Sequence, residues 1–199
     1  MNWKSVPVRR SSAVADILAI DLATVTGWAR GMSDTPTPQF GTIKFAGKDE
    51  RGNTGNANHT FALALKWMSN MVEQQPPDIL IVESMLPPDA MRDKTSRQVR
   101  DRLAGLHGIV RACAQRWGVG EISEVSVGDV RSHFIGTRGL QRVDAKKAVI
   151  ERCKALGWNV ANDNEGDACA IWSFAVSLID PAQALRVSPL FNRDLRAGR

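Results

Sequence analysis

Three acidic residues stand at the ends of apolar segments, where their side chains could meet. Asp21 follows the apolar run at residues 17–20, and Glu83 follows a second apolar run at residues 79–82. Asp167 opens an apolar helical pattern that continues to Leu178. A carboxylate that ends a buried strand is costly to desolvate unless it has a partner. Two such strands and a helix therefore suggest three carboxylates around one shared cation.

The type of ligand indicates which cation this would be. Carboxylate oxygens suit hard Mg²⁺, which uses a few carboxylates and keeps waters or phosphate oxygens as its other ligands. Each acid also has an ordinary structural explanation, because Asp21 and Glu83 could be exposed strand ends and Asp167 could be a helix cap. The three together favour the metal site, and in a basic protein such a site points to chemistry on a phosphate backbone.

Composition limits the class of protein. The chain has 199 residues, a formal charge of +5, a pI of about 9.4 and 43% hydrophobic residues, which fits one domain with a substantial core and favours a polyanionic partner. The three cysteines lack C-x-x-C spacing, so we expect free buried thiols in a reducing cytosol rather than disulfides or zinc. No apolar stretch is long enough to span a bilayer, so we expect no membrane association. We expect a cytoplasmic protein of a bacterial or phage-infected cell.

The hydrophobic periodicity predicts the order βββ-α-β-α-β-α-α-α. This order is typical of an α/β domain with a mixed five-stranded sheet flanked by helices. We predict one folded domain over residues 15–180, between a flexible basic arm at 1–14 and a C-terminal tail at 181–199. The predicted strands cover 15–21, 25–30, 40–45, 79–83 and 121–126. The predicted helices cover 61–72, 95–117, 127–134, 144–156 with Asp144 as its cap, and 165–179.

Five sequence motifs occur in this order along the chain. They are IDLATVTGW at 20–28, IVES at 81–84, SVGDVR at 126–131, DAKKAV at 144–149 and DNEGDA at 163–168. Their order and separation resemble the RuvC-type Holliday junction resolvases, especially those of phages and prophages, within the ribonuclease H-like superfamily. The resemblance covers most of residues 16–178 and implies a RuvC-like nuclease domain with the ribonuclease H-like fold.

The resemblance implies a metal-dependent crossover junction endodeoxyribonuclease. Asp21 would bridge two Mg²⁺ or Mn²⁺ ions, which hydrolyse a phosphodiester when about 3.5–4 Å apart, while Glu83 and Asp167 complete the site. The fourth ligand stays open, because Asn164 matches the family position and Asp163 carries the charge. Lys146 would contact the scissile phosphate and neutralise charge in the transition state.

The implied substrate is branched DNA, namely four-way junctions and also flaps or forks. The candidate DNA-binding residues are basic and lie around two loops: Arg92, Lys94, Arg97, Arg100, Arg131, Arg138 and Lys147. His133 belongs to the second of these loops. In the family, the helix that corresponds to 95–117 also forms a homodimer. We therefore expect a homodimer through this helix, which Leu106→Glu or Val110→Glu would weaken if either residue faces the partner.

Three departures from the family pattern leave alternatives open. Ala23 replaces a frequent glycine, Asn164 replaces a frequent acid or histidine, and Ser84 and Met85 follow Glu83 where some members have an aromatic residue. A non-catalytic nucleic-acid-binding module of the same fold is therefore the main alternative. A sugar-kinase or actin-type ATPase also has a Thr-Gly turn after its first Asp, but it needs two domains and a second phosphate loop.

Overall fold

A mixed five-stranded sheet with helices on both faces forms the part of the chain that the computed structural model describes, residues 14–45, 56–85 and 96–181. The strands are β1 (Asp16–Asp21), β2 (Val25–Met32), β3 (Gln39–Lys44), β4 (Ile79–Glu83) and β5 (Glu121–Val125). The helices are α1 (Ala57–Val72), α2 (Arg97–Arg116), α3 (Val127–Ile135), α4 (Arg142–Ala155) and α5 (Asp163–Ile179). The predicted fold class is confirmed.

The strand order in the sheet is β3-β2-β1-β4-β5. The first three strands form an antiparallel meander, whereas β4 runs parallel to β1 and β5 runs parallel to β4. The carboxyl ends of β1, β4 and β5 therefore lie at one edge of the sheet. Ligand sites of α/β proteins commonly form at this edge.

Alternation along β1 divides the core into two layers. Ile17 and Ala19 pack with α3, α4 and α5, whereas Leu18 and Ile20 pack with α1 and α2. Because successive side chains of a strand point to opposite faces, Asp21 lies on the same face as Ile17, which is the α5 face. The strand alone thus determines which helix can meet Asp21.

Helix α2 packs its apolar face against its own sheet. Leu106 and Val110 are 0% and 2% exposed and belong to the core layer that contains Leu18 and Leu80. Neither residue is therefore exposed to a second copy of the chain, and the homodimer itself stays a prediction. Helical periodicity identified an apolar face correctly, but it could not distinguish the sheet of the same chain from a partner as the surface that covers this face.

Four predicted helix starts are wrong. Helix α1 begins at Ala57, four residues before the predicted start at 61, and helix α2 begins at Arg97, two residues after the predicted start at 95. Helix α4 begins at Arg142 after the N-cap Gln141, and Asp144 lies inside the first turn instead of capping it. Helix α5 begins at Asp163, two residues earlier than predicted, because the Asn162 side chain accepts a hydrogen bond from the backbone N–H of Glu165.

The cysteines Cys113, Cys153 and Cys169 are buried and free of disulfides. None of the helices in residues 14–45, 56–85 and 96–181 is long and apolar enough to cross a membrane. The predicted arm at 1–14 and tail at 181–199 fall almost wholly outside the described residues and stay predictions.

Candidate active site

Asp21 and Glu83 end two neighbouring parallel strands. The register pairs Ile20 of β1 with Val82 of β4, so the two acids follow at the next position on both strands. Ile81, two residues before Glu83, lies in the same core layer as α5. By the two-residue period of a strand, Glu83 therefore points to the same face as Asp21, and the two predicted carboxylates are brought together.

A glycine allows α5 to approach these acids closely. Gly27 pairs with Asp21 in the β1–β2 register. A Cβ atom at Gly27 would lie only 1.9 Å from the backbone carbonyl oxygen of Asn164, in the first turn of α5. The absence of a side chain thus lets the helix backbone rest on the sheet opposite Asp21. This contact brings Asp163 and Asp167, on the same helix, to the acid pair.

A polar network fixes the first turn of α5 to strand β3. The Thr42 hydroxyl lies 3.1 Å from Oδ1 of Asn162 and 3.2 Å from Oε1 of Glu165, and Asn162 Nδ2 donates to it at 3.0 Å. Glu165 Oε2 in turn accepts the Ala161 backbone N–H at 2.7 Å. This arrangement is a variant of the capping box, which satisfies free N–H groups at a helix start. The predicted site residues do not include Thr42, Asn162 or Glu165. The Asn-x-x-Glu spacing is nevertheless a recognisable signal for such a cap.

The acids perturb one another's ionisation. Burial raises the pKa of Asp21 to about 8, and the charges of Glu83 and Asp167 add to this effect. Burial, and to a smaller extent the charge of Asp167, raises the pKa of Glu83 to about 7. The pKa of Asp167 is also raised, mainly by burial. The three carboxylates thus lie near enough to raise one another's pKa despite the nearby basic side chains, and a bound cation would stabilise their ionised forms.

The chemistry of these donors fits a divalent cation. Within residues 14–45, 56–85 and 96–181, no three His, Cys, Asp or Glu side chains lie close enough together to hold an ion as they stand. Mutual repulsion of like charges favours such separation, so a cation would have to draw the carboxylates of Asp21, Glu83 and Asp167 inward. Three oxygen donors on two rigid strands and one anchored helix match what Mg²⁺ or Mn²⁺ requires.

Asp163 already forms an ion pair with a lysine of the same chain. Its carboxylate forms an ion pair with Lys146 on α4, and this hydrogen bond lowers the pKa of Asp163. Lys146 also lies near Asp21 and Asp167, because its charge lowers the pKa of both acids. Lys146 thus lies near these acids and is paired with Asp163, and its contact with a phosphate stays a prediction. Whether Asp163 or Asn164 is the fourth metal ligand stays open.

Two arginines border the acids. The charges of Arg131 and Arg142 lower the pKa of both Glu83 and Asp167, so both guanidinium groups lie near these carboxylates. Arg131 was predicted to bind DNA. Arg142 was missed, because Asp144 was taken as the start of α4 and Arg142 then belonged to a loop.

The other predicted DNA-binding residues are more distant or differently engaged. Arg138 forms an ion pair with Asp129 at 2.5 Å, Lys147 is exposed, and Arg97 pairs loosely with Asp101 at 3.6 Å on the first turn of α2. Arg100 is partly buried on the same helix, and Arg92 and Lys94 lie outside the described residues. For the described members of this set, contact with DNA stays a prediction.

His133 does not belong to the surface around the second basic loop. Its Nε2 atom lies 3.1 Å from the Ser173 hydroxyl on α5, and its ring contacts Phe174 edge to face. Burial lowers the pKa of His133. The prediction that His133 grips DNA is therefore not supported by its placement, because helix α3 turns this side chain towards α5.

Comparison with known proteins shows the fold. No protein-family model and no curated protein sequence matches the chain. Thermus thermophilus RuvC is similar in structure, with a TM-score of 0.58 and 14% identity over 81% of this chain and 94% of that one. The same RuvC in complex with a Holliday junction substrate gives 0.56 and 13% over 81% and 93%.

A eukaryotic structure gives the same result. The yeast mitochondrial Holliday junction resolvase Ydc2 matches with a TM-score of 0.57 and 14% identity, over 84% of this chain and 79% of that one. The chain therefore has the RuvC-like, ribonuclease H-like fold that these Holliday junction resolvases share.

Proposed function

We propose that this protein is a metal-dependent, structure-selective endonuclease that cleaves four-way junctions and related branched DNA by phosphodiester hydrolysis. The observation that carries the proposal is the convergence of Asp21, Glu83 and Asp167 from two strands and a helix. The likeness to RuvC, one structure of which holds a Holliday junction substrate, supports branched DNA as the substrate class.

The residues of the site have separate tasks in this reaction. Asp21, Glu83 and Asp167 would hold the divalent metal, which when bound would supply an activated water and stabilise the leaving oxygen. Lys146, at the edge of the acids, neutralises charge on the phosphate as it passes through the transition state. Arg131 and Arg142 orient the DNA backbone beside Glu83.

We further propose that the protein acts as a homodimer. A four-way junction presents two equivalent strands, so paired incisions need two active sites at a fixed separation. Since Leu106 and Val110 are buried within one chain, any contact through α2 must use its exposed side, which includes Ala104, Gly108 and Ala112. Light scattering of the protein alone and on junction DNA tests the stoichiometry. A monomer in both states would favour a nuclease that makes single nicks in flaps or forks.

A cleavage assay on a synthetic four-way junction tests the central proposal. We expect incision near the branch point in Mg²⁺ or Mn²⁺, and binding without incision in Ca²⁺. Asp21→Asn, Glu83→Gln and Asp167→Asn should each abolish incision while junction binding persists. Asp34→Asn, at an exposed turn residue after β2, is the matched control and should cleave normally.

The same assay distinguishes the competing functions. Junction binding without incision in any divalent metal would indicate a nucleic-acid-binding module of this fold. Normal turnover in one of the three acid variants would remove that residue from the site. Binding should also weaken steeply with salt, because the basic side chains displace condensed counterions. An affinity that does not change with salt would argue against contacts with the phosphate backbone.

A further inference from the structure

Two exposed apolar side chains lie at the start of α4. Val143 is 65% exposed and Leu140 is 40% exposed, although most large apolar side chains in the described part of the chain are buried or partly buried. Their segment also carries Arg138, Arg142 and Lys147. An apolar pair within a basic segment suggests contact with a molecule that has both charged and apolar parts.

Helix geometry places this pair at the mouth of the acid cluster. Lys146 reaches Asp163, so the corresponding face of α4 is turned towards the site. Val143 lies three residues before Lys146, hence on the same face and one turn further out. Leu140 precedes the helix by two residues and extends the apolar surface away from the site. Leu140 and Val143 together form what we call the apolar lip.

The segment before the lip is fixed by local contacts. Helix α3 ends at Gly136, whose φ of 76° is left-handed and suits glycine. The Gly139 backbone N–H donates to the Thr137 hydroxyl at 3.1 Å, and Arg138 is paired with Asp129. Because the segment is anchored, the lip is held at a defined position beside the site and does not depend on a loose loop.

We propose that the apolar lip contacts the face of an unstacked nucleobase at the branch point, next to the phosphate that is cut. The proposal rests on the proposed endonuclease function. Charge complementarity selects the partner, because the exposed Arg142 and Lys147 lie on the same helix as Val143 and suit a phosphate backbone. An intact duplex keeps its base faces stacked, whereas a branch point exposes them. Apolar side chains are known to insert at opened base steps and to stack on unpaired bases.

The inference explains how branched DNA would be preferred over a duplex. Phosphate contacts position a protein on DNA but do not distinguish one DNA structure from another. A contact with base faces is available only where stacking is broken. The lip would therefore add affinity for branched DNA alone, and it would hold the strand at the acids.

The test uses the full-length protein and a four-way junction with 2-aminopurine at the branch point. Binding in Ca²⁺, which allows no incision, should raise the fluorescence of the wild type because the base unstacks. The variant Leu140→Asn with Val143→Ser should lose this rise and bind the junction about 5–20-fold more weakly, within the range for one base contact. Its affinity for a duplex of the same length should change less than about twofold, because the basic residues remain. Leu65→Asn, at a 51% exposed apolar residue on α1, is the control and should behave as wild type.

Two results would overturn the proposal that the apolar lip contacts an unstacked base. One is a fluorescence rise in the double variant equal to that of the wild type, and the other is an equal loss of affinity for junction and duplex. The endonuclease proposal fails separately. A wild type that gives the fluorescence rise in Ca²⁺ but no incision in Mg²⁺ or Mn²⁺ supports the lip and rejects the nuclease, whereas normal incision without a fluorescence rise rejects the lip alone.

Discussion

Asp21→Asn should stabilise the protein while it abolishes cleavage. Burial and the neighbouring acids raise the pKa of Asp21 from its ordinary 3.8 to about 8. The folded state therefore binds this proton more tightly than the unfolded state does, and the associated stability is present below pH 3.8 and lost as the pH rises towards 8. Near neutral pH without divalent metal, Asp21 is ionised in the unfolded chain and must take up a proton or remain a buried charge on folding, and either opposes folding.

The size of the effect follows from the pKa difference. Each unit between the folded and unfolded pKa corresponds to about 1.4 kcal/mol. At pH 7 the raised pKa of Asp21 therefore lowers the free energy of unfolding by at most about 4 kcal/mol. Relaxation of the three carboxylates and entry of water reduce this cost, and about 1–3 kcal/mol is a reasonable expectation. For a chain of this length, the corresponding rise in Tm of Asp21→Asn is about 3–10 °C.

Thermal unfolding with and without a chelator measures this effect. In EDTA at pH 7–8, Asp21→Asn should melt above the wild type, and the difference should shrink towards pH 5, where the Asp21 carboxyl is increasingly protonated. Mg²⁺ should raise the Tm of the wild type more than that of Asp21→Asn, because bound metal stabilises the folded state. Asp34→Asn is the control and should match the wild type. A lower Tm for Asp21→Asn at every pH would refute the reasoning, since it would mean that Asp21 stabilises the fold.

Three further variants test the supports around the site. Thr42→Val should raise the Mg²⁺ concentration for half-maximal cleavage roughly tenfold, as loss of an outer contact commonly does, with junction binding in Ca²⁺ unchanged; an unchanged metal requirement would show that the network only caps the helix. Arg30→Met should cost about 3–5 kcal/mol in urea unfolding, because Arg30 bonds the buried Asp16 at 2.6 Å, and adding Asp16→Asn should restore part of this loss. The pKa of His133 is lowered by burial, so its contribution to stability is present above about pH 6.5 and lost as the pH falls; His133→Gln should flatten the decline in Tm between pH 6.5 and 5, and an identical decline would contradict this.

The sheet and two of its acids could be predicted because their signals are local. Apolar runs that end at Asp21 and Glu83 identify buried strands with a carboxylate at the end, and the parallel pairing of two such strands brings the acids together. The two-residue period also fixes the face on which they lie. The pattern required no knowledge of distant contacts, and the structure agrees with it.

The residues that position α5 could not be identified in the same way. Gly27 is needed because the backbone at Asn164 rests on it, a contact between residues 137 positions apart in sequence. Thr42 reaches Asn162 and Glu165 across a similar separation. Such contacts depend on how the helix docks on the sheet, so a single sequence gives them no periodic signal.

The prediction of where α4 begins was wrong for a different reason. Asp is a frequent N-cap, and Asp144 followed by a helical pattern fits that preference. The helix nevertheless begins at Arg142, and its N-cap Gln141 makes no side-chain capping bond. The earlier start of α4 adds two residues to the helix, and Arg142, the first of them, lies near Glu83. Helix ends are set by weak local preferences, and packing can override them.

The existing contacts of Asp163 and Asn164 lead to a prediction about which of them is the fourth metal ligand. Asp163 is paired with Lys146, and this bond lowers the pKa of Asp163, so Asp163 would have to give up an existing ion pair in order to bind metal. Asn164 lies at the family position, and its backbone is anchored on Gly27. We therefore expect Asn164→Ala to weaken metal binding more than Asp163→Ala does.

The rise in Tm as Mg²⁺ is added, measured in the absence of DNA, separates the two candidates from any effect on catalysis. Asn164→Ala should need several-fold more Mg²⁺ for the same rise, since an oxygen ligand is lost. Lys146→Met gives the complementary result, because it frees Asp163. If Asp163 is the ligand, Lys146→Met should bind Mg²⁺ more tightly than the wild type does, and that outcome together with a silent Asn164→Ala would reverse the assignment. An unchanged Mg²⁺ dependence in all three variants would mean that Asp21, Glu83 and Asp167 form the site without a fourth protein ligand.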